Sequence, residues 1–391
     1  MAPFLLYAGG YEREILTLAF DPTSSSLDII SRTECGSAPT WLTFSEDGTH
    51  LYATDEWGEP EGVLYTLSVG QEGKLEVLSS VKSGGLWPCH SSLLTSTDPP
   101  QFLSTNYRGA SLSSVPLLPS GQLDSSSSQL LPYRDKGSPG PIGWRQEQAH
   151  PHGAHIDPRG LLVVIPDLGT DDLRIVAVKP DGTLEDRDTI HLNSGDGPRH
   201  VLFAGQDKLY VLNELSNSVS VFSVTYPLSS SSTDPYPTFT PLQSSVSLLP
   251  PSPMPHQSDF STWHCAELAV SPDGRTLFAS NRAEGHDPLN GTREGPEDLL
   301  AIFALREDGT IDEGSKGLVG AGGRAPRHFA LSSESKARRG QEDVEEGRYL
   351  AVALHDSDEV VIFERTGEEG RELKEVARKQ DVGRPGIAVW A

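Results

Sequence analysis

A short turn followed by an apolar, alternating strand recurs along the chain. It is seen in "APTWLTFSEDGTHLYATDE" at 38–56, "WPCHSSLL" at 87–94 and "HPHGAHIDPRGLLVVIPDLG" at 150–169. It continues in "GPRHVLFAGQDKLYVLNELSNSVSVFSV" at 197–224, "WHCAELAVSPDGRTLFASNR" at 263–282, "APRHFALS" at 325–332 and "RPGIAVWA" at 384–391. Most copies start at a proline: Pro39, Pro88, Pro151, Pro198, Pro326 and Pro385. Intervals of about 45–65 residues are those of propeller blades made of four short strands.

Within a copy the order is regular. "HVLFA" reads as the first strand, "KLYVLNE" as the second and "SVSVFSV" as the third, while "TLEDRDTIHL" at 183–192 shows the fourth. The turns "SEDG", "KPDG", "SPDG" and "REDG" place glycine where hairpins need positive φ. The N-terminus begins on a second-strand sequence, "FLLYAGGY", and the C-terminus ends on an orphan first strand, "GIAVWA". Pairing the two removes exposed edges. The expected fold is therefore all-β: a seven-bladed β-propeller closed by its N- and C-terminal strands, with residues 1–391 as one domain. Low-complexity stretches near 113–141, 226–260, 283–298 and 332–348 are expected to be loop insertions.

A formal net charge of −24 excludes nucleic acid and anionic membranes as partners, because both require a basic face. An anionic ligand would instead need a local cluster of arginines. Cys35, Cys89 and Cys265 form no CxxC pair, so neither a disulfide framework nor a cysteine zinc site is expected. The N-terminus lacks a basic leader and no window approaches a membrane span, which points to a reduced cytoplasmic protein. We expect a monomer.

In a propeller the first strands line a central channel, so the residues at their starts converge there although distant in sequence. These are His90, His152, Arg199, His200, Glu267, Arg327 and His328; the ends of the second strands add Glu56, Glu214, Arg282 and His355. His150, His152 and His155 lie within six positions but do not match a known ligand spacing. In a strand, 155 would face away from 150 and 152, so no metal site is expected. A buried histidine near Glu214, flanked by Arg199 and Arg282, has the parts for acid–base work with an anion clamp. Equally, Arg199 and Glu214 could be a structural ion pair of the lining. No Gly-x-Ser-x-Gly elbow is present and the cysteines lack activating neighbours in sequence, so nucleophilic catalysis by Ser or Cys is disfavoured.

The motifs "HPHGAHIDPRGLLVVIPDLGTDDLRIV", "GPRHVLF", "LYVLNELSNSVSVF" and "AELAVSPDGRTLFASNR" resemble the lactonase family of seven-bladed propellers. That family includes bacterial cycloisomerase-type 6-phosphogluconolactonases and fungal 3-carboxy-cis,cis-muconate lactonizing enzymes. The resemblance implies that His152, Arg199, Glu214 and Arg282 are the channel residues. It makes His152 the histidine of interest, with His155 of secondary rank. Catalytic roles are expected for His152, Glu214 and Arg199, and substrate binding by Arg282, His200, Asn213, Glu267 and His155. His200 and Asn213 make "GPRH" and "LNEL" similar to the phosphogluconolactonase branch. The expected function is hydrolysis of a small anionic or sugar lactone in carbohydrate metabolism, without metal or organic cofactor. A muconate-type cycloisomerase is the second reading, and a non-catalytic binding scaffold the third.

Overall fold

The computed structural model describes residues 3–227, 234–251, 263–283, 297–332 and 346–391. They form seven four-stranded sheets, the strand architecture of a seven-bladed β-propeller. Six sheets take their strands in chain order. The remaining one sets Pro385–Trp390 beside Phe4–Gly10, followed by Glu14–Asp21 and Ser26–Glu34. Leu6 opposes Trp390, Tyr7 opposes Val389 and Ala8 opposes Ala388, so the expected pairing of the chain ends is present.

By contacts the chain divides into two compact units. One comprises Met1–Leu51, Leu67–Val77 and Leu248–Ala391, the other Tyr52–Thr66 and Leu78–Ser247. In the first unit an aromatic nucleus sits over the paired termini. The Phe4 ring lies 5.4 Å from Tyr349 and 6.0 Å from Trp390, while Phe20 lies 5.0 Å from Tyr349. In the second unit, strand Leu162–Asp167 is buried at every position. Its odd members Val163 and Ile165 pack with Leu94, Leu103 and Leu112, and its even members Leu162 and Val164 pack with Val201, Leu209 and Val211. Side chains alternate across a strand, and both faces here meet a neighbouring blade. That is why "LLVVI" is continuously apolar.

One device recurs where first strands begin. Trp87, Gly197, Ala325 and Arg384 stand directly before prolines and have φ of 58°, 56°, 54° and 52°. Their carbonyls accept the amides of Tyr107, Glu214, His355 and Tyr11 at 2.8, 2.8, 2.9 and 3.2 Å. Pairing then skips one residue. Pro88 opposes Asn106 and His90 opposes Thr105; Pro198 opposes Asn213 and His200 opposes Leu212; Pro326 opposes Leu354 and His328 opposes Ala353. The skipped residues Cys89, Arg199 and Arg327 sit in bulges, which re-aim side chains beside functional sites. Proline suits the first position of a strand because it withholds no ladder donor needed there.

Two expectations need correction. The serine-rich stretch 113–141 is not simply an insertion: it contains the end of strand Ser111–Pro116 and all of strand Gln129–Pro132, with Ser113 opposite Leu130. Ser113 and Ser114 have hydrogen-bonding partners inside the blade, so strand Ser111–Pro116 lacks the apolar alternation that would mark it. Likewise Thr238–Ser247, within 226–260, is the fourth strand of the Pro198 blade. The remaining cores of the suggested insertions, 228–233, 252–262, 284–296 and 333–345, lie outside the described residues.

Candidate active site

Three successive blades of the second unit present their first-strand starts to one another. Pro151 forms an isolated bridge with Asp167, and the His152 amide donates to the Pro166 carbonyl at 2.9 Å. The regular strand here is only His155–Ile156. The expected strand alternation across 150–155 therefore does not apply. A Cβ at Gly153 would lie 2.2 Å from His155 Nε2, so glycine is what lets the chain fold back on that ring. The three histidines turn to three different sets of partners.

His152 faces Arg199, whose Nη1 is hydrogen-bonded to the imidazole Nε2. The same Nη1 donates to Glu214 Oε2 at 2.8 Å. The other carboxylate oxygen, Oε1, accepts from Arg145 Nη2. A guanidinium has only donors, so His152 Nε2 presents its lone pair and the ring proton sits on Nδ1. That Nδ1 lies 3.8 Å from Cys89 Sγ. Glu214 is 1% exposed, Arg199 4% and His152 5%, whereas the Arg145 side chain is 14% exposed and stacks on Trp144. Arg145 is thus the solvent-side member of a buried Arg–Glu–Arg–His chain. The Tyr107 hydroxyl adjoins it; burial, reinforced by Glu214 and opposed by Arg145, pushes this phenol up to about 12.

Beside it lies a cluster of histidine rings. His90 is 4.7 Å from His155 and 5.2 Å from His200, and His152 is 5.4 Å from His200, ring centre to ring centre. His90 Nδ1 accepts the Ala154 amide at 3.2 Å and His155 Nε2 accepts the Val201 amide at 3.3 Å. Burial first, and neighbouring histidines second, hold both rings well below the usual histidine range. Both are therefore uncharged near pH 7. His150 belongs elsewhere: it stacks on Tyr107 at 4.3 Å and contacts Glu147 at 3.2 Å.

The second unit thus brings together His152, Arg199, Glu214, His200 and His155. Glu267 and Arg282 belong to the first unit. There Glu267 Oε2 stands 3.7 Å from His328 Nε2, and Arg282 donates to the carbonyls of His264 and Cys265 at 3.3 and 3.1 Å. Asn213, expected in the substrate-binding set, donates its amide to Ser218 and Ser220, both at 3.1 Å, tying the hairpin together. Asn106 does the same for Ser111 and Ser113 at 3.0 and 2.9 Å. Cys89, whose sequence neighbours suggested no role, lies 3.8 Å from His152 Nδ1 in the fold.

Sequence reasoning missed Arg145, Tyr107 and Cys89. A signal existed for two of them. "NYRGASLS" and "NELSNSVS" share Asn-x4-Ser-x-Ser, which sets Tyr107 and Glu214 at one structural position, and Pro88-Cys89-His90 repeats Pro198-Arg199-His200. Arg145 lies in a connection between blades, where no repeat could flag it.

A seven-sheet β-propeller carrying a buried arginine–carboxylate–histidine set defines a recognisable class. The chain belongs to the lactonase family of seven-bladed β-propellers, whose sequence profile matches residues 5–390. An Arthroderma benhamiae protein named "Probable 6-phosphogluconolactonase" is 32% identical over 288 residues, 73% of this chain and 68% of that protein. The 6-phosphogluconolactonase of Formosa agariphila is 26% identical over 364 residues, covering 90% of this chain and 88% of its own. In fold the chain is similar to the periplasmic gluconolactonase of Pseudomonas aeruginosa, with a TM-score of 0.77 and 23% identity over 99% of this chain and 98% of that one. Among the described residues no helix is long and apolar enough to cross a membrane.

Proposed function

We propose that the chain hydrolyses a sugar lactone, 6-phosphogluconolactone or a related aldonolactone. The observation that carries this reading is Glu214, buried and shared between Arg145 and Arg199, with His152 on the far side of Arg199. Family membership and relatives named as 6-phosphogluconolactonases support the same chemistry.

Water adds to the lactone carbonyl carbon, the ring C–O bond breaks, and the ring oxygen takes a proton to become a hydroxyl. Arg199 polarises the carbonyl and stabilises the oxyanion, an effect that can supply several kcal/mol in a dry site. Glu214 takes the proton of the attacking water as its Arg145 contact is exchanged for substrate. That proton passes from Glu214 to the lone pair of His152 Nε2, freed as Arg199 turns to the substrate, and from there to the leaving ring oxygen, which restores both groups. Arg145 is the group that first meets an anionic substituent arriving from solvent, because it alone of the chain is partly exposed.

In this reading residues 1–391 act as one cytoplasmic, monomeric domain of carbohydrate metabolism. Sedimentation and a single cooperative melting transition test that part. The activity itself is tested with purified protein and a panel of phosphorylated and plain sugar lactones, following acid release. Turnover by wild type and its loss in Arg199→Gln and Glu214→Gln are expected. Wild-type rates in both variants, or cyclisation of a muconate-type dicarboxylate in place of lactone hydrolysis, would overturn it.

A further inference from the structure

Among the described residues the exposed large apolar side chains are mostly aliphatic and lie on the fourth strands of their sheets: Ile30, Val77, Leu78, Leu130 and Leu242. Trp144 differs from them. It is aromatic, it is 70% exposed, and it lies in the connection between strands Gln129–Pro132 and His155–Ile156 rather than in a sheet. The Arg145 guanidinium carbon stands 5.3 Å from the centre of its ring, and the same guanidinium reaches Glu214 Oε1. A single guanidinium thus joins an exposed indole to the buried carboxylate of the candidate site.

The connection that carries Trp144 is fixed to the elements that build the site. The amides of Arg145 and Gln146 both donate to the Ile142 carbonyl at 2.8 Å, closing a turn that includes Trp144. Gln146 is fully buried; its side-chain oxygen accepts the Ile142 amide at 3.1 Å, and its Nε2 donates to the Leu168 carbonyl and to Asp171 Oδ1, both at 2.8 Å. A Cβ at Gly140 would lie 2.3 Å from that side-chain oxygen, so glycine lets the chain close over the glutamine. Asp171 in turn accepts the amides of Gly195 and Gly197 at 2.7 Å each, and the Gly197 carbonyl accepts the Glu214 amide at 2.8 Å. An unbroken run of hydrogen bonds therefore ties the turn with Trp144 to the turn that aims Glu214. On such a frame an indole, with two side-chain torsions, loses little freedom when a ligand covers it.

We infer that Trp144 is a specificity-determining residue that stacks on the apolar C–H face of the sugar ring of the lactone. The inference rests on the proposed hydrolysis at Glu214. A lactone whose ester carbonyl is held at Arg199 and Glu214 directs the rest of its ring past Arg145 toward solvent, where the indole lies. An aldonolactone carries hydroxyls at its rim and C–H bonds on its faces. A flat aromatic surface takes the C–H bonds out of water and leaves the rim hydrated. Adjacent residues then divide the work: Arg145 meets an anionic substituent, and Trp144 meets the neutral ring.

Calorimetry with gluconolactam, a neutral ring that resists hydrolysis, and steady-state hydrolysis of gluconolactone and 6-phosphogluconolactone test this on wild type, Trp144→Phe and Trp144→Ala. Each is also made in an Arg145→Gln background. In Trp144→Ala the Kd for the lactam and the KM for both lactones should rise about tenfold, the scale of one lost aromatic contact, while kcat falls far less. Trp144→Phe should keep most of the affinity. The same loss of lactam binding in the Arg145→Gln background shows that the indole touches the ring itself rather than acting through the arginine. Lactam binding that depends on Trp144 in a protein that turns over no lactone would support the ring contact and overturn the hydrolase reading alone. No lactam binding by wild type, an unchanged Kd in Trp144→Ala, a fall in kcat at unchanged KM, or a loss that disappears with Arg145→Gln would each overturn the inference.

Discussion

Two copies of one backbone device, at Pro198 and at Pro326, have become different chemical environments. Both have a residue at positive φ, a proline, a bulged arginine and a histidine, with the second strand ending under the first carbonyl. The Pro198 copy ends on Glu214, the Pro326 copy on His355. With glutamate, Arg199 and Arg145 converge on a buried anion whose two oxygens are both engaged. With histidine, Arg327 and Arg384 flank a neutral ring and an aromatic face. The backbone sets where a side chain is aimed; the residue after the second strand decides whether the place is occupied by the protein's own charge.

Exchanging that residue should have the largest effect. Glu214→His gives the Pro198 copy the side chains of the Pro326 copy, and lactone turnover should fall about 10²–10⁴-fold, the usual range for a lost general base. Steady-state kinetics on a variant that still melts in one cooperative transition would show it; retained kcat would break the comparison. Arg199→Lys keeps the charge but not the fork shared by His152 and Glu214. A loss of about 10²–10³-fold in kcat is expected, as for removal of one oxyanion donor.

A third test concerns stability against pH. His90 and His155 are held below the ordinary histidine value, so the unfolded chain binds protons before the folded one does. Their contribution is intact above about pH 6.5 and declines as pH falls below it, by about 1.4 kcal/mol per pH unit for each ring. Denaturant titrations at several pH values should therefore show a shallower acid slope in His90→Gln/His155→Gln than in wild type. An identical slope would mean that these rings charge freely in the fold. The smallest effect belongs to Asn213→Ala. Losing the two bonds to Ser218 and Ser220 should destabilise by about 1–3 kcal/mol while leaving KM for the lactone unchanged. A raised KM would return Asn213 to the site.

The blade order was legible because it is written twice in each copy, in period-two apolar alternation and in glycine turns. The pairing of "FLLYAGGY" with "GIAVWA" followed from simple counting of strands. Of the candidate site, Arg199, Glu214 and His152 were among the residues that the repeat brings to the first-strand starts and second-strand ends, and the family resemblance singled them out. Arg145 could not be named, since it arrives from a connection outside the repeat and pairs with Glu214 only once the chain has folded. The strand at 111–116 was hidden by serines whose hydroxyls serve hydrogen bonds inside the sheet, such as those from Asn106. The bonds from Asn213 to Ser218 and Ser220 were hidden for the same reason: sequence places the asparagine beside Glu214 and shows nothing of the two serines its amide holds.

The sheet that joins Phe4–Gly10 to Pro385–Trp390 has a consequence for folding. Its two inner partners come from opposite ends of the repeat array, so the sheet is complete only after every blade between them has been threaded. Until then Leu6, Tyr7 and Ala8 present an apolar strand with an open hydrogen-bonding edge, the kind of template on which chains pair wrongly. Removing Pro385–Trp390 should turn that transient hazard into a permanent one.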